Sequence, residues 1–246
     1  MKDFRILQLN GGVVTPGEPA NFYLPQGVEG YADAQIDDYG QGAGFCWKRG
    51  VSMQLHARFS HASGILQGTA GFGFWNAPFA DPTVRRLALP QAVWFFYASP
   101  PSDLPLRVQG AGQGWFASTI DAGARTAVSL IPLAPVFMLL SRSRRFRLRF
   151  WPMVRRRLGI SFQPLPTPLT EWHGYRLDWL ATGCRFYVDG ELVLATPFSP
   201  RGPLGFVCWL DNQTMTLTVN GRFHWGTLAV PEAQWLEVAD LSLNEM

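Results

Sequence analysis

Residues 171–213 read EWHGYRLDWLATGCRFYVDGELVLATPFSPRGPLGFVCWLDNQ, and the order of strands in this stretch decides the fold. Tyr175, Leu177 and Trp179 alternate with Arg176, Asp178 and Leu180, the period of two of a strand with unlike faces. Ala181, Thr182 and Gly183 turn the chain, after which Phe186 and Val188 alternate with Arg185, Tyr187 and Asp189. Asp189-Gly190 is a dipeptide that accepts positive φ at a tight hairpin turn, and it leads into a third strand over residues 191–194. After the break at residues 199–203, residues 204–211 are apolar on both faces, as a central strand covered on each side should be.

These residues resemble the concanavalin A-like lectin and glucanase superfamily, which includes laminarin-type glucanases and laminin-G-like modules. The likeness rests on WHGYRLDW at residues 172–179, RFYVDGE at 185–191 and the Gly202-Pro203-Leu204 turn, with a weaker match in LQGTAGFGFW at 66–75. It implies an all-β fold: a two-sheet antiparallel β-sandwich of jelly-roll type that holds carbohydrate on the concave side. The glucanases carry Glu-x-Asp-x-x-Glu on the strand after the Gly and Trp rich one, the paired carboxylates of retaining glycoside hydrolysis. Here residues 76–81 read NAPFAD and 89–99 read LPQAVWFFYAS, with no such pair. Retaining glucanase chemistry is therefore not expected, because a fold without the residues does not supply the activity.

Beyond this stretch, 246 residues with 47% hydrophobic content suit one large sandwich domain over residues 1–246. The 25 Gly and 19 Pro are spread along the chain, as turns between many short strands require. The first seven residues, MKDFRIL, contain no apolar signal core, and Cys46, Cys184 and Cys208 are an odd number at wide spacing. Free buried thiols and an intracellular, cytoplasmic location follow as expectations. CxxC, HExxH, GxxxxGK[ST] and GxSxG are all absent, so neither a metal nor a cofactor is predicted.

Charge is concentrated in one place. No acidic residue lies between Asp121 and Glu171, while Arg142, Arg144, Arg145, Arg147, Arg149, Arg155, Arg156 and Arg157 leave the rest of the chain net acidic. Residues 127–140 before them are apolar but too short and proline-broken to span a bilayer. A partly helical insertion at about 130–158 is predicted, either folded onto the sandwich with solvated arginines or contacting an anionic membrane as a peripheral segment, with Phe150 and Trp151 at the interface. A lid over the binding site, with the arginines paired to Asp33, Asp37 or Asp38, is a third arrangement. Nucleic acid is not expected, because basic residues and stacking aromatics are confined to this segment.

Candidate site residues are polar positions on otherwise apolar strands. Met53, Leu55, Ala57 and Phe59 share one face, leaving His56 and Arg58 on the other, where they reach a groove if that face is concave. Trp209, Asp211 and Gln213 share a face and offer an aromatic, a carboxylate and an amide. Gly71, Gly73 and Trp75 form a face open to a ligand or to a packed neighbour, and Tyr97 brings a hydroxyl to a strand end. Two functions fit: a groove-type binding protein for a glycan or amphipathic small molecule, or an isomerase, cyclase or lyase working on an apolar substrate in the same groove. The second would use His56, His173, Asp38 or Asp211 in general acid-base roles, an aromatic-lined groove raising carboxyl pKa values.

Overall fold

The computed structural model describes residues 4–39, 45–78 and 88–246. Residues 79–81 of the interval read above for carboxylates lie outside them. The strands preceding the helical segment are β1 (Arg5–Leu9), β2 (Val13–Thr15), β3 (Ala20–Leu24), β4 (Asp33–Asp37), β5 (Val51–Phe59), β6 (Thr69–Trp75), β7 (Gln91–Ala98) and β8 (Gly114–Asp121). Helices α1 (Arg125–Val128), α2 (Ala134–Leu140) and α3 (Arg144–Arg157) follow, with a 3₁₀ turn at Ile131–Leu133. The chain then forms β9 (Ser161–Pro164), β10 (His173–Leu180), β11 (Gly183–Val188), β12 (Glu191–Thr196), β13 (Gly205–Asp211), β14 (Gln213–Leu217), β15 (Phe223–Thr227) and β16 (Gln234–Glu245).

Two seven-stranded antiparallel sheets make the sandwich. The first runs β1-β4-β13-β6-β7-β8-β9, the second β12-β11-β10-β5-β16-β3-β2, and β14 with β15 forms a separate hairpin. The stretch that decided the fold behaves as its pattern requires. Tyr175 pairs Val188 and Leu180 pairs Gly183, and Val188 faces Glu191 across a two-residue turn. In that turn Asp189 has φ 51° and Gly190 has φ 84°, both left-handed, which matches the twist of the flanking strands. β13, apolar on both faces, sits between β4 and β6 and is buried throughout.

Inward positions of both sheets fill one core: Phe72 and Phe95 of the first sheet meet Tyr175 of the second at 5.1 Å between ring centroids, and Phe95 meets Phe186 at 5.3 Å. Full burial of each such ring is worth roughly 1.5–3 kcal/mol. A second buried cluster lies on the outer face of the first sheet. The two cysteines on strands, Cys184 and Cys208, are free and buried, whereas Cys46 is exposed; burial pushes the Cys184 thiol up to about 12.

All helices among the described residues fall between β8 and β9: α2 and α3 lie in the predicted insertion and α1 just before it. Ser143 caps α3 by accepting the Phe146 N–H, satisfying one of its unpaired first-turn donors. Among the described residues no helix is long and apolar enough to cross a membrane. Trp151, expected at a membrane interface, is instead buried, and its indole N–H donates to the Arg107 carbonyl at 2.9 Å; it pins α3 to the loop after β7. Arg155 is half-buried with its Nε enclosed, whereas Arg142, Arg144, Arg145, Arg149, Arg156 and Arg157 are exposed. The lid arrangement does not form. Asp37 is engaged by Arg5 at 2.7 Å, and among the described residues no ion pair joins residues 142–157 to a carboxylate.

Candidate functional site

The predicted site residues divide between the outer faces of the two sheets, so the single groove expected of them does not exist. Trp75, Trp209 and Asp211 lie on the outer face of the first sheet; His56 and Arg58 lie on that of the second. Tyr97 belongs to neither. It points into the core, where its hydroxyl donates to the Leu66 carbonyl at 2.9 Å and accepts from the Gly64 N–H, and burial raises its pKa.

On the first sheet, Trp209 of β13 lies over Gly71 and Trp94 of β7 lies over Gly73. A Cβ at Gly71 would come 2.9 Å from the Trp209 ring and 2.3 Å from the Phe95 carbonyl, and one at Gly73 would come 2.7 Å from the Trp94 Cβ. The space left by these glycines is thus taken by the protein itself, by the Trp209 ring and backbone at Gly71 and by the backbone and Cβ of Trp94 at Gly73. Ring centroids of Trp75 and Trp94 stand 5.1 Å apart, those of Trp94 and Trp209 5.7 Å, and Phe96 lies 5.4 Å from Trp209. Leu104 and Leu106 from the loop after β7, and Leu158 and Ile160 after α3, join the same buried cluster, and Trp94, Phe96 and Trp209 are buried while Trp75 is half-buried.

Asp211 is buried beside them. Its Oδ1 accepts from Thr69 N, from Thr69 Oγ1 at 2.8 Å and from Gln213 N, and Thr69 Oγ1 in turn accepts the Trp209 indole N–H at 3.0 Å. Burial drives its carboxyl up to about 7 against the pull of these bonds. Gln213 departs from the shared face: it starts β14, and its side chain accepts from the Trp225 indole at 3.0 Å. Asp38 tethers chain segments by accepting from Phe206 N at 2.7 Å and from the Trp47 indole. β7, the strand read for the expected carboxylate pair, presents Ala92, Trp94, Phe96 and Ala98 to this face.

The second sheet keeps an open recess of about 520 Å³, lined by Gln54, His56, Trp172, Arg176, Tyr187, Asp189 and Asp240 over the backbone of Gly174. Three local features build it. Gly174 is the cross-strand partner of His56, and without a side chain it leaves room for the imidazole; a Cβ there would lie 3.3 Å from His56 Nε2. The register of β16 against β5 shifts between Ala239 and Ser242, and in this bulge Asp240, at φ 54°, turns its carboxylate to His56 Nδ1 at 2.9 Å. The hairpin turn supplies Asp189, whose Oδ2 meets His173 Nδ1 at 2.6 Å while Oδ1 accepts the Gly174 N–H at 2.8 Å. Partial burial raises the Asp189 pKa, but the His173 and Gly174 bonds and both imidazoles outweigh it and hold the group below the usual range.

Arg176 stacks on Tyr187 with its guanidinium 3.8 Å from the ring, and Arg58 lies between Trp172 and Trp235 at 5.0 and 5.4 Å, bonded to Glu237 at 2.7 Å. Cation–π contacts of this kind hold the long side chains and the exposed Trp172 ring in place. Of the predicted residues His56 lines the recess, while Arg58 reaches it through Trp172 and His173 through Asp189; Asp189, Asp240 and Trp172 were passed over by the sequence reading. Asp189 was legible only as a turn residue, and Asp240 has no sequence signal because its bulge depends on pairing with β5. His173 is mostly enclosed and its Nε2 has no hydrogen-bond partner.

No protein-family model matches the chain, and no characterised protein matches it in sequence. Among solved structures it is similar to a glycoside hydrolase family protein from Mycobacterium thermorestibile (12% identity, 92% of this chain and 76% of that one, TM-score 0.47). It is also similar to a β-glucanase from Bacillus licheniformis (10%, 92% and 82%, 0.42). A carbohydrate-binding module from Bacillus subtilis is a third (8%, 98% and 95%, 0.42). At such identities the likeness concerns the fold, and function has to be argued from the site.

Proposed function

We propose that the protein binds a saccharide in the recess on the outer face of the second sheet and does not act as a retaining glycosidase. The observation that carries this reading is the lining: an exposed Trp172 ring beside Gln54, His56, Arg176, Asp189 and Asp240 in about 520 Å³. A pyranose has an apolar C–H face and a rim of hydroxyls. A fixed indole takes the first, and planar donors and acceptors held by their own partners take the second. The recess is within the size range of small-molecule sites. Calorimetry against neutral and acidic oligosaccharides tests it. Saturable binding that Trp172→Ala weakens at least tenfold, with thermal stability kept, is expected; a panel in which no saccharide binds, or a ligand indifferent to Trp172, would refute it.

A second reading rests on the 2.9 Å contact of His56 with Asp240. A carboxylate on Nδ1 fixes the tautomer and leaves Nε2 for proton transfer to a bound ligand, as in isomerisation or elimination. The polar lining argues against the apolar substrate expected for such an enzyme. Chromatography of bound sugars after long incubation distinguishes the two readings: a new product lost in His56→Gln favours the enzyme, and unchanged sugar favours the binding protein.

A further inference from the structure

At the opposite side of the molecule, residues 103–110, the tip of the β14–β15 hairpin and the start of α3 enclose a cleft of about 410 Å³. Four arginines line it, Arg107, Arg144, Arg147 and Arg222, against one carboxylate, Asp103. That carboxylate is occupied by the Gly112 N–H at 3.1 Å, and among the described residues no ion pair neutralises any of the four arginines. Arg147 and Arg107 are braced from within, donating to the Ser141 and Ala111 carbonyls at 3.0 and 3.3 Å. Braced, unneutralised guanidinium groups around a recess suit an oxyanion, since their planar donors match phosphate and carboxylate geometry.

The rim of this cleft carries exposed apolar side chains. α2 rests on α3 through Phe137, whose ring lies 5.6 Å from Phe146, and leaves Val136, Leu139 and Leu140 exposed. A Cβ at Gly221 would stand 3.4 Å from the Met138 sulfur, so α2 and the hairpin tip flank the same cleft. β15 adds Phe223 and Trp225, 68% and 51% exposed. Apolar groups gathered in this way mark an interaction surface.

The combination selects the partner. A soluble anionic sugar would fill the cleft and leave the apolar rim in water. A second copy joined through this face would bring its own arginines against these, and like charge opposes that contact. An anionic bilayer meets both demands, with headgroup oxyanions for the cleft and an acyl boundary for the rim. We propose that this end of the sandwich docks on an anionic lipid surface, a headgroup phosphate seated among Arg107, Arg144, Arg147 and Arg222 and the rim of α2 and β15 dipping into the interface. Trp151 takes no part, being committed to Arg107.

Co-sedimentation of the full chain with phosphatidylcholine vesicles, with and without phosphatidylserine, tests the proposal. Binding confined to the anionic vesicles and released by rising salt is expected. Each neutralised cleft arginine should weaken partitioning about fivefold, so the triple change Arg144→Gln, Arg147→Gln, Arg222→Gln costs about 100-fold. The pair Phe223→Ser, Trp225→Ser should reduce binding about tenfold even at low salt. If the triple variant melts early, Arg222→Gln alone, on the exposed hairpin tip, should still show its fivefold loss. Equal pelleting with neutral vesicles, or anionic binding untouched by the arginine changes, would overturn the idea. So would heat protection by inorganic phosphate or a sulfated oligosaccharide in a protein that ignores vesicles, or a concentration-dependent dimer that excludes them.

Discussion

The outer faces of the two large sheets start from the same alternation and end as opposites. On the first sheet the outward positions of β6, β7 and β13 carry Gly71, Gly73, Trp94, Phe96 and Trp209, and residues from the loop after β7 and the segment after α3 close over them into a second core. On the second, the outward positions of β5 and β10 carry Gln54, His56, Gly174 and Arg176 and stay in contact with solvent around a recess. Both faces use a glycine to admit an aromatic or imidazole ring from the neighbouring strand. What differs is the cover, and cover decides whether a row of aromatics stabilises the fold or meets a ligand.

The largest effects should therefore come from the first sheet. Trp94→Ala or Trp209→Ala should cost about 3–5 kcal/mol in denaturant unfolding, as removal of a packed aromatic does. Gly71→Ala should be comparably severe, because its Cβ would meet the Phe95 carbonyl, a backbone atom that cannot step aside, at 2.3 Å. Substitutions here that left stability within about 1 kcal/mol but abolished binding would reverse the comparison and make the covered face the site.

Next in size is the pH dependence of Asp211. Between about pH 4 and 7 its carboxyl keeps its proton in the folded chain, where burial holds it up to about 7, and loses it in the unfolded chain. The folded state then binds more protons, so stability is complete below about pH 4 and falls as pH rises toward 7. Three pKa units set the scale at about 4 kcal/mol. Asp211→Asn removes this slope, and urea titrations at stepped pH should give a flatter profile for it than for the parent. Parallel profiles would mean that Asp211 is already ionised within the fold.

The sandwich was legible because its signals are local. Period-two alternation at Tyr175, Leu177 and Trp179, the Asp189-Gly190 turn and the doubly apolar β13 each specify their element within a few residues, and the helical insertion betrays itself by losing every acid. The site was only half legible because its determinants are not local. The buried cluster that takes in Trp209 also draws on Leu106 and Ile160, which no pattern near Trp209 announces. The carboxylate of Asp240 reaches His56 through a bulge created by pairing two strands far apart in the chain, and Asp189 reads as a turn residue until His173 is seen beside it. Alternation tells that two residues share a face, but it does not say what lies on top of that face.

On the second sheet the effects should be smaller for the fold and larger for the ligand. Trp172→Ala removes a ring that is 40% exposed and should change stability by no more than about 1 kcal/mol. Binding should fall by about 1–3 kcal/mol, read by calorimetry against whichever saccharide the panel identifies. A loss of stability matching that of Trp94→Ala would erase the contrast between the faces.

The smallest and most discriminating change is Gly174→Ala. Its Cβ would lie 3.3 Å from His56 Nε2, a tight contact but with a side chain that is half exposed and free to swing. An alanine also suits a strand interior better than glycine, by roughly 0.5–1 kcal/mol, so the folded state should be altered by less than that in either direction. The cost falls on the recess instead. To avoid the methyl the imidazole must tilt, stretching its 2.9 Å contact with Asp240, and the methyl itself occupies the floor between Trp172 and Asp189. Affinity should drop several-fold at unchanged melting temperature, the reverse of Gly71→Ala, where the fold suffers first. Equal affinity in Gly174→Ala would show that the ligand never reaches the backbone between His56 and Asp189.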